Sequence, residues 1–254
     1  MKKILFIVSV IAGLNSCTVK EEYTIGKSGR IQYNYSLNGS DLKDFMAEEE
    51  SFEKTLNEKK DFVEALGRGI TIEEFYKRLT DDHDLLKHHN AAAVKYFKEN
   101  KTTYNQLKHH KLYVNFDQLT YNTELKTTSE NIDQESKLLN NFLFNFFIAI
   151  DNPFNTNYLT NTKTATNNSF EIIFNKADYK QLINSLTKEF DSRMQDNMMF
   201  NKMFNYQLII HTPDKILSSS KDGSYYTLDQ KTIKLDYTFA EIISEENKSV
   251  KITF

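Results

Sequence analysis

The sequence predicts an α+β protein: an antiparallel β-sheet of hairpins packed against several amphipathic helices. Two patterns carry that expectation. Apolar and polar residues alternate over short runs after the first twenty or so residues and again near the end of the chain, the period of a half-buried strand. Between them lie longer segments whose apolar residues recur every 3.6 positions, the period of a helix with one buried face. Hairpins separated by long helices suit an arrangement in which helices gather against an antiparallel sheet.

The first segment stands apart from that domain. Lys2 and Lys3 make a short basic start, and Ile4 to Leu14 is an apolar run interrupted only by Ser9 and Gly13. The run has the length of a secretory signal core and falls short of the roughly 20 residues a spanning helix needs. Leu14-Asn15-Ser16-Cys17 follows, and Cys17 is the single cysteine of the 254 residues. This segment resembles the lipobox of bacterial lipoproteins. The resemblance implies that signal peptidase recognises Leu14, Asn15 and Ser16 and cuts before Cys17. It also implies a diacylglyceryl thioether on the Cys17 sulfur and a fatty acyl group, such as palmitate, on the new amine. Two or more acyl chains give stable anchoring. The chain then divides into a signal peptide over 1–16, a lipidated Cys17 with a polar tether over 17–22, and a single α+β domain over 23–254.

Arginine is scarce (Arg30, Arg68, Arg78 and Arg193) while Lys, Asn, Ile, Phe and Tyr are abundant. With the signal, this usage resembles lipoproteins of the Bacteroidota type. Lys20-Glu21-Glu22 resembles the basic-acidic tag of surface-exported members of that group. The resemblance implies an outer-membrane anchor and leaves open the surface or the periplasmic face.

Within the domain, Tyr23 to Ile25 and Arg30 to Leu37 read as a hairpin turning at Gly26-Lys27-Ser28-Gly29, with Ile31, Tyr33, Tyr35 and Leu37 on one face. Leu42, Phe45, Met46, Phe52, Leu56, Val63 and Leu66 share one side of a helix that Gly67 and Gly69 end. Thr71 and Glu74 sit at capping-box spacing ahead of Phe75 and Leu79. Asp81 to Leu107 is polar and partly helical. Leu112, Val114 and Phe116 restore alternation, and a strand continues towards Leu125. Ser129 to Gln134 reads as a polar break, Leu138 to Ile150 as a buried helix, and Asp151 to Asn168 as a loop rich in Asn and Thr. Phe170, Ile172 and Phe174 mark a strand. Tyr179, Leu182, Ile183, Leu186, Phe190 and Met194 mark an amphipathic helix. The remainder is β-like: Tyr206, Leu208 and Ile210 alternate. Tyr225 to Leu228 pairs through an Asp229-Gln230-Lys231 turn with a strand running to Phe239, and Val250, Ile252 and Phe254 end the chain.

The composition narrows the function. Apolar residues make up 39% of the chain, with 19 Phe and 14 Tyr, enough for a substantial core. The net charge of −3 provides no basic field for nucleic acid. With Cys17 acylated no thiol is left, so no disulfide is expected although an extracytoplasmic compartment would permit one.

Three clusters deserve a chemical reading. Asp84 and His88 share a helix face, and His83, His89, His109 and His110 lie within reach in sequence. Imidazole and carboxylate suit zinc-like ions, but the spacing matches no H-E-x-x-H pattern, so neither metal nor cofactor is expected. Ser218-Ser219-Ser220 follows a strand near His211 without the G-x-S-x-G elbow of a nucleophilic serine. Phe142, Phe146 and Phe147, with Met199 and Met203, could form an apolar binding surface, since flexible Met side chains suit adaptable contacts. A core packing role competes with that reading.

Tyr206 to Phe254, with Pro213-Asp214-Lys215-Ile216 between strands, resembles the ending of uncharacterised bacterial lipoproteins. That resemblance implies no activity and transfers no site residue. The expectation is therefore a membrane-anchored extracytoplasmic lipoprotein that is not an enzyme. It would hold the membrane through acyl chains on Cys17 and bind an envelope protein or apolar ligand, without nucleic acid. The alternatives are a metal-assisted hydrolase using the His83–His110 segment and an acyl-chain carrier.

Overall fold

A computed structural model describes residues 17–38, 59–82, 94–115, 118, 120–147, 160–181, 204–221, 224–244 and 248–254. The fold is α+β; among the described residues the strands form one eight-stranded and one four-stranded sheet. Strands β1 (Cys17–Ile25) and β2 (Arg30–Asn38) form the expected hairpin, with Tyr23 opposite Tyr33 and Ile25 opposite Ile31. Ile31, Tyr33, Tyr35 and Leu37 are all buried while the residues between them are half-exposed, so the pleat sends one set inward.

Three more strands extend that sheet on the β2 side. They are β3 (Ile70–Thr71), β4 (Lys111–Asn115) and β5 (Thr120–Thr128), in the spatial order β2-β5-β4-β3. On the other side of β1 lies β8 (Phe204–His211), then β11 (Thr232–Thr238) and the edge strand β10 (Tyr225–Tyr226). β8 runs parallel to β1, with Cys17 opposite Phe204 and Tyr23 opposite Ile210. The large sheet is therefore mixed rather than a row of hairpins.

The tether expected over 17–22 is corrected by this pairing. Thr18 to Glu22 form the first half of β1 and are paired with β2 on one side and β8 on the other. Val19 and Glu21 point into the core and are fully buried. A charged residue at an inward position hid the alternation Val19, Glu21, Tyr23, Ile25. It also removes Glu21 from any solvated export tag.

The small sheet has the order β6-β7-β12-β9, comprising β6 (Thr162–Ala165), β7 (Ser169–Ile173), β12 (Ser249–Thr253) and β9 (Ser218–Ser219). β6 occupies the end of the stretch expected to be a loop. Its polar TKTA sequence carries no apolar alternation, and its strand is set by pairing with β7. Phe170 of β7 packs on Tyr23 with ring centroids 4.6 Å apart, and Phe174 packs on Tyr206 at 5.2 Å. These contacts join the small sheet to the inner face of the large one.

Helices complete the core. α1 (Lys60–Arg68) buries Phe62, Ala65 and Leu66. α2 (Ile72–Asp81) starts with the capping box, Glu74 N–H donating to Thr71 Oγ1 at 3.1 Å and Thr71 N–H to the Glu74 carboxylate at 2.8 Å. Between them Gly69 has φ +88°, and a Cβ there would lie 2.2 Å from the Tyr113 ring, so only glycine fits. Residues 94–99 and α3 (Lys101–Leu107) are helical. α4 (Ile132–Phe147) begins inside the expected polar break and covers Leu138 to Phe147 of the expected buried helix, whose last three residues lie outside the described residues. Its inward stripe of Ile132, Ser136, Leu139, Asn140 and Phe142 mixes polar with apolar residues. Residues 176–181 are helical, and the rest of the amphipathic helix expected there lies outside the described residues. α5 (Phe239–Ser244) starts at a residue expected to end a strand. Thr238 caps it, accepting the Glu241 N–H at 3.1 Å.

Candidate functional site: a buried Glu21 cluster between the sheets

The inward position of Glu21 on β1 places a carboxylate where strands and helices of both sheets converge. Oε1 accepts from Asn140 Nδ2 of α4 at 3.1 Å. Oε2 accepts from the Tyr23 hydroxyl and faces Lys163 Nζ of β6 at 3.7 Å. Asn140 Oδ1 in turn accepts from the Tyr33 hydroxyl at 2.8 Å. Lys163 Nζ also donates to the Asn161 carbonyl at 3.3 Å, and Asn161 Nδ2 donates to the Tyr179 hydroxyl at 2.8 Å. The backbone of Lys163 is fixed by Asp133, whose Oδ1 accepts its N–H at 2.7 Å while Oδ2 holds Lys137 at 2.8 Å.

Water is excluded here. Glu21 and Asn140 are 0% exposed and Lys163 is 3%. Burying either charge alone would cost several kcal/mol, and the pair persists because each partner is matched and hydrogen-bonded. Burial pushes the Lys163 ammonium below its usual pKa, against the opposing pull of Glu21 and Asp133. Tyr23, Tyr33, Tyr35, Tyr179 and Tyr206 surround the carboxylate. Burial first, and Glu21 as a nearby negative charge, push all five phenols well above their ordinary range. They remain neutral and able to donate.

The outer face of the large sheet is polar. Lys20 pairs with Glu22 at 2.7 Å, and Glu22 Oε1 meets His211 Nε2 at 2.9 Å. His211 Nδ1 lies 2.8 Å from Thr232 Oγ1. This acid–imidazole–hydroxyl line arises because Thr232 is the cross-strand neighbour of His211 on β11, while Glu22 lies on the same face of β1, two residues before His211's other neighbour, Thr24. Its hydroxyl sits on a strand, not on a sharp turn that would present it to a substrate. A shallow depression of about 140 Å³ lies beside it, lined among others by Lys20, Glu22, Asn34, Tyr113 and Glu124.

The residues singled out in the sequence fall as follows. Cys17 is the first residue of β1. Leu14, Asn15 and Ser16 lie outside the described residues, as do Met199 and Met203. Phe142 is fully buried and packs against Phe97 at 5.1 Å between centroids. Phe146 and Phe147 belong to α4. His83, His88 and His89 lie outside the described residues. His109 and His110 come after Lys108, the C-cap of α3, and burial lowers the His110 pKa. Among the described residues no three His, Cys, Asp or Glu side chains form a group that could hold a metal ion. Among them also no helix is long and apolar enough to cross a membrane. Ser218 and Ser219 form β9.

The Glu21–Lys163–Asn140 cluster was not foreseen. Its members sit far apart in sequence, and Glu21 and Lys163 read as solvated charges. The one available signal was that Glu21 occupies the same alternation as Val19 and Tyr23.

No protein-family model and no curated protein matches the chain. Among solved structures it is similar to the folded domain of LppM from Mycobacterium tuberculosis, with 6% identity over 94% of this chain and 91% of that one and a TM-score of 0.37. A likeness of that strength says nothing of function.

Proposed function

We propose that the protein is an extracytoplasmic lipoprotein, held on the outer membrane by acyl chains on Cys17, whose domain works by binding rather than by turnover. The signal and lipobox support the anchor. The observation that carries the reading is that Cys17 is itself part of β1 and pairs with Phe204 of β8. An acylated residue continuous with an interior strand holds the domain directly on the bilayer surface instead of on a flexible leash.

The register gives this an orientation. Cys17 lies at the same end of the sheet as Asn38, Thr120, Phe204 and Thr238; on this reading that end faces the lipid. Tyr225 and Tyr226 pair near the start of β11, at the opposite end. Among the described residues they, Leu228 and Leu217 are large apolar side chains exposed there. An envelope protein or an apolar ligand is the partner class that fits this display.

Replacing Cys17 with Ala is expected to leave the precursor uncut and to abolish incorporation of labelled fatty acid, because both steps act on the thiol or its thioether. Fatty-acid labelling of Cys17→Ala at the normal level would remove the anchor and the orientation with it. Partner binding is tested by purifying the lipoprotein from detergent-solubilised membranes and comparing what accompanies it with what accompanies a Tyr225→Ser/Leu228→Ser variant.

A further inference from the structure

A lysine amine, a carboxamide and a carboxylate buried together are the reactants of an amide exchange. In this protein Glu21 stands between the other two. One of its oxygens accepts from the Asn140 amide at 3.1 Å, and the other faces the Lys163 amine at 3.7 Å. The Asn140 carbonyl oxygen accepts from the Tyr33 hydroxyl at 2.8 Å. The three groups come from β1, β6 and α4, so the fold and not the local sequence brings them together.

We propose that Lys163 and Asn140 become joined by an intramolecular isopeptide bond, formed once by the folded protein itself with Glu21 as the proton carrier. This goes beyond the membrane reading and does not depend on it.

The step balances without a cofactor. Lys163 Nζ, as the free amine, adds to Asn140 Cγ. Negative charge develops on Oδ1, where the Tyr33 hydroxyl already donates, as an oxyanion-stabilising group must. Glu21 takes a proton from Nζ and delivers one to Nδ2. The Cγ–Nδ2 bond breaks, ammonia leaves, and a secondary amide between Nζ and Cγ remains, with Glu21 again a carboxylate. The protein loses one ammonia and nothing is oxidised or reduced.

Three features of the site favour the reaction. Burial favours the neutral, nucleophilic form of Lys163. Water, which would compete as nucleophile and screen the charges, is kept out by the ring of tyrosines. Each reactant is held against the same carboxylate, Lys163 Nζ at 3.7 Å and Asn140 Nδ2 at 3.1 Å, which confines their encounter to one small buried space. The chain has a use for such a link: its single cysteine is Cys17, so a disulfide within the domain is not available to it.

Tryptic digestion of the denatured full-length protein tests this. No Lys or Arg lies between Leu138 and Thr162 or between Thr164 and Asn175. Acylation of Lys163 blocks cleavage after it. The expected product is therefore Leu138–Lys176 in one piece, lighter by one ammonia than the linear peptide. Glu21→Gln should yield the two separate peptides at full mass.

Complete cleavage after Lys163 with both wild-type peptides at full mass would overturn the proposal. So would loss of ammonia from Leu138–Lys163 while cleavage after Lys163 stays normal, since that marks cyclisation of an asparagine alone. A cross-link formed to the wild-type extent in Glu21→Gln would overturn the role given to Glu21.

Discussion

Deletion of Ser249 to Phe254 is expected to bring the urea midpoint close to zero. β12 lies inside the small sheet, paired with β7 along its whole length and with β9 near its end. Val250, Ile252 and Phe254 are buried. Full burial of such side chains contributes roughly 1.5–3 kcal/mol each, so their loss removes about 5–9 kcal/mol. That is on the scale of the whole stability of a typical domain, about 5–15 kcal/mol. Backbone bonds go as well: Leu217 N–H donates to the Thr253 carbonyl at 2.8 Å and Ser220 N–H to that of Lys251 at 3.0 Å. The deletion therefore also strips partners from β9 and opens an edge on β7. A midpoint equal to that of the intact protein would mean that the terminal strand lies outside the core.

Glu21→Ala is expected to be the most damaging single substitution near the N-terminus. In the variant the Lys163 amine, which stays unlinked without Glu21, has no counter-charge, and the Tyr23 hydroxyl and Asn140 amide have no acceptor. Removing one partner of a buried ion pair costs about 3–5 kcal/mol, and each further orphaned donor adds roughly 1–3 kcal/mol. Glu22→Ala is the control. Glu22 faces outward beside Lys20 and His211, a quarter exposed at its side chain, and a pair of that kind contributes at most about 1 kcal/mol. Chemical denaturation of the two variants side by side separates the accounts. Were 18–22 a solvated tether, both substitutions would leave stability within about 0.5 kcal/mol of wild type.

Much of the fold was legible because its local signals agree with its tertiary contacts. Ile31, Tyr33, Tyr35 and Leu37 alternate in sequence and are buried in the structure. Thr71 and Glu74 form the capping box their spacing announces. Gln230, with φ +59°, turns the last hairpin where Asp229-Gln230-Lys231 placed it. What stayed hidden depends on long-range pairing. The parallel partnership of β1 with β8 joins residues 187 positions apart, as Cys17 is from Phe204, and no periodicity records it. β6 is polar and becomes a strand by pairing with β7.

The candidate site was hidden for a related reason. Hydrophobic patterning treats Glu21, Lys163, Ser136 and Asn140 as surface residues, whereas these four are buried. Matched charges and amides cancel one another's desolvation cost only after α4, β1 and β6 have met. The same blindness made Lys20-Glu21-Glu22 look like a tag and 17–22 look like a tether.

The direct test of the continuity between anchor and sheet is amide hydrogen exchange over Thr18 to Glu22 in the detergent-solubilised lipoprotein. Amides that are paired inside a sheet exchange only when the sheet opens. If β1 runs from Cys17 as an interior strand, these amides should be as protected as those of Tyr33 to Leu37. Exchange at the rate of an unstructured chain, with β2 still protected, would contradict it.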